Sequence, residues 1–135
     1  MRIEQAAPAV GIAGCLAVVA VLALPFALFP SWGTELAAYY TGGPLGVGAV
    51  LAFALVGTVV FLAGARGQAD PTTAAGIALP LGVVALVVAL SWAFAAPLDP
   101  IFGLPSSWMT DHRWYVVVAT AVIPAAAAVY ARAVV

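Results

Sequence analysis

The sequence has very little charge. Its 135 residues include no lysine, four arginines and five acidic residues, so 7% of the chain is charged whereas 66% is hydrophobic. A soluble domain is usually about 45–50% apolar and about 25% charged. Water cannot solvate such a chain as a globule, which indicates that its solvent is lipid. The net charge of -1 is too small to suggest a nucleic acid or an acidic partner.

The sequence is also poor in residues that bind metals or carry out catalysis. One cysteine and one histidine exclude an internal disulfide, a zinc site of three or four ligands and, within one chain, a haem held by two axial histidines. No phosphate loop, dinucleotide fingerprint or nucleophile motif is present, and the long apolar runs contain no ionisable residue. We therefore expect no cofactor, no metal and no enzymatic activity.

Cys15 lies in the stretch "IAGC", which resembles a bacterial lipobox. A lipoprotein signal places its apolar run before the cysteine, whereas most of this run, residues 16–29, follows it. The segment is also longer than the apolar part of an ordinary signal peptide, which has about 7–15 residues. We interpret it as a retained membrane anchor and Cys15 as a small residue on a packed helix face.

Four apolar stretches are long enough to cross a membrane, since a span needs about 20 residues for about 30 Å of hydrocarbon. They comprise residues 6–29, 45–65, 72–96 and 113–131. The prediction is an all-α membrane protein, a single domain over residues 1–135 that forms one four-helix transmembrane bundle in the cell membrane. Pro44 and Pro71 open the second and third spans, and Asp70 and Thr72 are candidates to cap the third.

The arginines predict the orientation of the bundle. Arg2, Arg66 and Arg132 lie on the side of the termini and of the short turn between the second and third spans, whereas Arg113 alone lies on the other side. Positive charge accumulates on the cytoplasmic side of membrane proteins. Three arginines against one therefore predict that both termini are cytoplasmic.

Small residues at four-residue spacing let helices approach each other in lipid. We expect such pairs to pack inside the bundle, and we expect Pro80 and Pro124 to bend the spans that contain them. The pairs are Ala7 and Gly11, Gly48 and Ala52, Gly76 and Pro80, and Ala121 and Ala125.

Aromatic side chains concentrate at the outer ends of the spans. Amphipathic rings prefer the headgroup layer, so one interpretation is asymmetric anchoring. The other is that the two outer loops fold into an interfacial cap, with prolines stiffening the second loop and a short helix near Ser106. The outer aromatics are Trp32, Tyr39, Tyr40, Trp92, Trp108, Trp114 and Tyr115, the prolines are Pro97, Pro100 and Pro105, and the inner side has Phe61 and Tyr130.

Two segments of the chain resemble each other at a spacing of 65 residues. "AVGIAGCLAVVA" and "AAGIALPLGVVA" share eight identities in twelve positions. A duplication would give two parallel helical hairpins related by an axis along the membrane normal. Chance similarity between alanine- and valine-rich helices is the other explanation.

The stretch "SSWMTDHRWYVVV", residues 106–118, is the most polar part of the chain. The first interpretation is that of a helix start, in which Thr110 or Asp111 caps the fourth helix. His112 is then exposed, and Arg113 reaches lipid phosphate or pairs with an acid. The second interpretation is a contact site for a ligand, a lipid or a partner at the outer interface. Its candidate residues are Asp111, His112, Arg113 and Trp114, and the acids available to Arg113 are Glu35, Asp99 and Asp111.

The layout of the chain resembles a family of small, uncharacterised four-span membrane proteins of haloarchaea. The likeness lies in the four spans, in "ADPTTAAGIAL" after the second span and in "HRW" at the start of the fourth. This resemblance implies a topology and a habitat and carries no activity. We expect a non-enzymatic structural or accessory membrane component or a small subunit of a membrane complex, with lipid, other subunits or itself as partners. The alternative is a small oligomeric transporter or channel for a neutral or apolar solute.

Overall fold

The structure, a computed structural model, describes residues 2–42, 45–96, 108 and 111–135. The described residues form helices joined by turns, and no strand occurs among them. Four of the helices are long and apolar enough to cross a membrane. They are α1 (Ile3–Leu28), α3 (Gly48–Ala65), α4 (Pro71–Ala95) and α5 (His112–Val134), and between α1 and α3 the chain forms a 3-10 turn (Pro30–Trp32) and the short helix α2 (Gly33–Tyr40).

The ends of the long helices lie close to the ends of the predicted spans. At the start of α3 they differ, and the structure shows the reason. This helix begins at Gly48 rather than at residue 45, because the chain first makes a turn. Gly46 adopts a φ of +66°, a left-handed conformation that glycine adopts without steric penalty. The N–H of Val47 donates to the carbonyl of Tyr40 at 2.9 Å, which ties the start of α3 to the end of α2. Pro44 lies outside the described residues.

The start of α4 combines a side-chain cap with a proline. The Asp70 carboxylate accepts hydrogen bonds from the Thr73 N–H at 3.2 Å and from the Thr73 hydroxyl at 3.3 Å, and Pro71 occupies the first turn. The prediction that Asp70 caps this helix is confirmed. Thr72 has another role, since its hydroxyl donates to the carbonyl of Val134 at 3.2 Å and joins the start of α4 to the end of α5.

The four long helices form a ring in which each contacts two neighbours. α1 packs against α3 and α5, and α4 packs against the same two helices from the opposite side. Neighbours run antiparallel: the start of α1 meets the end of α3 at Gly11 and Phe61, and the start of α5 meets the end of α1 at His112 and Val21. The termini and the turn between α3 and α4 therefore lie at one end of the bundle, and α2 lies at the other.

Glycines set the closest approaches between the helices. A Cβ on Gly82 of α4 would lie 2.8 Å from the backbone nitrogen of Pro124 in α5, and a Cβ on Gly57 of α3 would lie 2.9 Å from Sγ of Cys15 in α1. Cys15 is fully buried, in keeping with its interpretation as a small residue on a packed helix face. Small residues thus bring backbones together where lipid supplies no hydrophobic drive.

The prediction that four pairs of small residues pack inside the bundle is wrong for three of the pairs. Only Ala7 and Gly11 are both buried in the bundle. A four-residue spacing fixes one face of a helix but does not say whether that face meets protein or lipid, and here most of these faces point outward. The pairs that lie on or near the surface of the bundle are Gly48 and Ala52, Gly76 and Pro80, and Ala121 and Ala125.

The burial patterns of α1 and α4 do not support a duplication at a spacing of 65. None of the buried residues of α1 falls on a buried residue of α4 at that spacing. For example, Gly11 is buried against Phe61, whereas the matched Gly76 is exposed. At a spacing of 67 nearly all of the buried positions coincide. The residues that are identical in sequence therefore lie on different faces of their helices.

Candidate functional site: a buried aromatic and polar cluster

The short helix α2 carries two tyrosines into the interior of the bundle. Leu36, Tyr39 and Tyr40 share one face of this helix, because residues three and four apart lie one above the other, and all three are buried. The hydroxyl-bearing rings of Tyr39 and Tyr40 are 0% and 8% exposed. Both tyrosines therefore face the interior of the bundle, and for this loop their burial fits the interpretation of a folded cap better than that of asymmetric anchoring.

The tyrosines meet Trp92 of α4 and His112 of α5, and these four residues are called the aromatic cluster below. The ring centroids of Tyr39 and Trp92 lie 5.2 Å apart in an edge-on arrangement, and those of Tyr39 and Tyr40 lie 5.3 Å apart. His112 lies 5.8 Å from Tyr39 and 6.0 Å from Tyr40. Aromatic pairs at such distances and tilts attract each other beyond the apolar area that they bury.

His112 is fully buried, with 0% of its surface exposed, although the sequence led us to expect an exposed imidazole. Its Nε2 donates to the carbonyl of Val21 in α1 at 2.8 Å. In an uninterrupted helix that carbonyl would accept the N–H of residue 25, but residue 25 is Pro25, which has no N–H. The imidazole therefore occupies the hydrogen-bonding position that Pro25 leaves free.

The second ring nitrogen of His112 contacts the Tyr39 hydroxyl and determines which tautomer the neutral ring adopts. Nδ1 lies 3.2 Å from the hydroxyl of Tyr39. Since Nε2 must carry a hydrogen to donate to a carbonyl, the neutral imidazole has Nδ1 as an acceptor, and the Tyr39 hydroxyl donates to it. The neutral Nε2–H tautomer therefore satisfies both ring nitrogens and the tyrosine hydroxyl together.

Two further hydrogen bonds of the aromatic cluster also satisfy backbone carbonyls. The Tyr40 hydroxyl donates to the carbonyl of Leu22 at 2.6 Å, and Nε1 of Trp92 donates to the carbonyl of Tyr39 in the last turn of α2 at 3.1 Å. Carbonyls in the last turn of a helix lack intrahelical donors. Burial raises the pKa of both tyrosines well above the ordinary range, partly offset for Tyr39 by Arg113, so both hydroxyls keep the proton that they donate.

Over residues 1–135 the chain matches the model of one protein family. The chain belongs to a family of unknown function, DUF7548. No curated protein and no solved structure matches the chain. Membership in DUF7548 therefore confirms the expectation of an uncharacterised family and leaves the chemistry of the site to be read from its own residues.

Arg113 contacts the end of a neighbouring helix. Its Nη1 donates to the carbonyl of Ala93 at 3.2 Å, in the last turn of α4, where the partial negative charge of the helix end favours a cation. Its guanidinium carbon also lies 5.2 Å from the ring centroid of Trp114, within the range of a cation–π contact. Arg113 forms no ion pair within the described ranges, which do not include Asp99.

The four predicted site residues are divided between the interior and the surface. His112 is buried, Arg113 and Trp114 are half-buried, and Asp111 is exposed. Asp111 occupies the N-cap position of α5, but its side chain accepts no hydrogen bond from the described part of the chain. The other proposed cap, Thr110, and the proposed short helix near Ser106 lie outside the described residues.

Three members of the aromatic cluster, Tyr39, Tyr40 and Trp92, were not expected from the sequence to be polar partners. The sequence analysis also did not identify Pro25 as the cause of a free carbonyl. One available signal was a proline close to the C-terminal end of the first span, because such a proline leaves a carbonyl in need of a donor. In the part of the chain that the structure describes, no three His, Cys, Asp or Glu side chains lie together as a metal site would require.

Proposed function

We propose that this protein is a non-enzymatic structural or accessory component of the cell membrane, acting as a small subunit of a membrane complex. The observation that carries the proposal is the use of the polar groups in the aromatic cluster. His112, Tyr40 and Trp92 each donate to a backbone carbonyl, and Tyr39 donates to His112. These groups stabilise the fold of one bundle end, and none of their hydrogen bonds depends on a solute.

The polar residues inside the long helices support the same proposal. The hydroxyl of Thr58 donates to the carbonyl of Ala54 at 2.9 Å, and that of Thr120 donates to the carbonyl of Val116 at 2.7 Å. Each bond lies within a single helix, so neither of these two hydroxyls is free to line a polar path along the bundle. A carrier or channel for a neutral solute would therefore need several copies of the chain to build a polar path.

The proposal includes the orientation with both termini in the cytoplasm. Arg2, Arg66 and Arg132 lie at the bundle end that carries the termini, as the positive-inside rule requires of a cytoplasmic side. Arg113, the exception at the other end, has a local reason for its place, because it donates to the carbonyl of Ala93. It therefore does not argue against this orientation.

Thiol labelling in intact cells tests the orientation. In a Cys15→Ala background, Ala38→Cys on α2 and Gln68→Cys between α3 and α4 are both exposed positions. A membrane-impermeant maleimide should label residue 38 from outside and residue 68 only after permeabilisation. The reverse pattern would place the termini outside and contradict the orientation.

Purification under mild conditions tests the subunit role. The tagged chain is extracted from its native membranes in a mild detergent, and the co-eluting proteins are compared with those of an unrelated tagged four-span protein of equal abundance. The proposal expects at least one membrane protein in fixed ratio to this chain and absent from the control. Elution without such a protein, together with solute flux into vesicles that contain the chain alone, would favour the transport function instead.

A further inference from the structure

The helix α2 is attached to the bundle by one face and two flanking turns. Its inward face carries Leu36, Tyr39 and Tyr40, while Ala37 and Ala38 on the opposite side are exposed. The 3-10 turn that begins at Pro30 precedes the helix, and the turn containing Gly46 follows it. Displacement of α2 would break its side-chain contacts and the backbone hydrogen bond from Val47 to the Tyr40 carbonyl, but no hydrogen bond within the four long helices.

One of the hydrogen bonds between α2 and the rest of the bundle, the bond between Tyr39 and His112, depends on a neutral imidazole. In the neutral state, Nδ1 of His112 accepts from the Tyr39 hydroxyl while Nε2–H donates to Val21. A protonated imidazole donates from both nitrogens. The Tyr39 hydroxyl would then have to turn its own hydrogen away from His112, and the described residues give it no other acceptor.

Among the residues that the structure describes, no negative charge near His112 compensates a proton. From α5, Arg113 brings a second positive charge, and Asp111 is exposed; from α2, Glu35 lies in the first turn. Neither acid forms an ion pair with His112 within the described ranges. The other titratable neighbours are Tyr39 and Tyr40 on α2. The remaining described groups against the ring are the Val21 carbonyl of α1 and the ring of Trp108, whose centroid lies 6.1 Å away. A buried cation without a counter-charge is strongly unfavourable.

We infer that α2 is a lid whose closed position requires the neutral form of His112, and that acidification of the adjoining aqueous phase opens it. Opening brings the imidazolium into water, where its hydration replaces the lost hydrogen bonds. The open state therefore binds a proton that the closed state does not, so closure weakens as the pH falls. An imidazole in water has a pKa of about 6.5, and opening should develop below that pH.

The experiment measures how accessible the inward face of α2 is to a reagent. Leu36 is fully buried against the bundle and Ala38 is exposed on the same helix. In a Cys15→Ala background, Leu36→Cys and Ala38→Cys are labelled separately with a water-soluble maleimide in mild detergent, between pH 7.5 and pH 5. The ratio of the two rates cancels the intrinsic effect of pH on the thiol.

The ratio should rise as the pH falls, by up to about tenfold for each pH unit below about 6.5 when one proton is taken up. The matched control is His112→Gln, whose amide can donate to Val21 and accept from Tyr39 but does not titrate in this range; its ratio should stay constant. A constant ratio in the protein that retains His112, or an equal rise in His112→Gln, would overturn the inference.

A second measurement remains informative if His112→Gln does not fold. The sequence contains one histidine, so 15N-labelled histidine gives signals from His112 alone and reports its protonation directly. The midpoint of this titration and the midpoint of the rise in Leu36→Cys labelling should coincide. Midpoints that differ by more than the error of the two measurements would overturn the inference, since another group would then control the lid.

Discussion

The two ends of the bundle are closed by different kinds of contact. At the end with the termini, a short turn joins α3 to α4, and the hydrogen bonds that Thr73 donates to Asp70 are local and exposed. The one longer-range hydrogen bond described above at this end, from Thr72 to the Val134 carbonyl, is also exposed. At the other end, the hydrogen bonds of the aromatic cluster join residues 18 to 91 positions apart and are mostly buried. A short connection needs only a local cap, whereas a long one has to be fixed by contacts with distant helices.

This comparison explains why the same residue types behave differently at the two ends. A proline at the start of α4, Pro71, leaves no free carbonyl because the first turn has no intrahelical partner to lose. Pro25 lies inside α1 and does leave one, which His112 satisfies. His112, at the start of α5, thus satisfies the backbone of a neighbouring helix, whereas the sequence suggested an exposed imidazole.

The largest effect is expected for Trp92→Ala. Trp92 is 1% exposed, packs against both tyrosines of α2 and donates to the carbonyl of Tyr39. Its loss leaves a cavity and a carbonyl without a donor, and should reduce the free energy of unfolding by about 3–5 kcal/mol. Unfolding by SDS in mixed micelles measures this value. Phe94→Ala is the control, because Phe94 is 75% exposed on the same helix; equal losses in the two variants would contradict the account.

Replacement of His112 should have the next largest effect. His112→Leu leaves the Val21 carbonyl and the Tyr39 hydroxyl without partners, at about 1–3 kcal/mol for each group that stays buried and unsatisfied. His112→Gln retains a donor and an acceptor and should lose less. The same unfolding titration separates the two variants. If His112→Leu proved as stable as the parent protein, the imidazole would not hold the cluster together.

The smallest effect is expected at the two helix starts. Asp70→Ala removes a formed cap and should lower the stability by about 0.5–2 kcal/mol. Asp111→Ala should change it by less, because the Asp111 side chain accepts no cap hydrogen bond within the described residues, although the sequence predicted a cap there. Parallel thermal unfolding of the two variants compares them. A larger loss for Asp111→Ala would show that Asp111 has a partner beyond the described residues.

The sequence predicts the long helices because their apolar runs exceed the membrane thickness, and it predicts the Asp70 cap because that contact spans three residues. It does not predict which helix faces meet protein, since residues that face lipid are as apolar as those that face the core. Tyr39 and Tyr40 therefore suggested interfacial anchors. The burial of His112 depends on a carbonyl 91 positions earlier in the chain, and no local pattern joins the two.

The central claim is that His112 satisfies the carbonyl that Pro25 leaves free, and a double-mutant cycle between these residues tests it most directly. Pro25→Ala restores an N–H at residue 25 that can donate to the Val21 carbonyl within α1. His112→Leu should therefore be less destabilising in the Pro25→Ala background than in the parent protein, by about 1–3 kcal/mol. The same loss in both backgrounds would mean that the two residues act independently, which would contradict the claim.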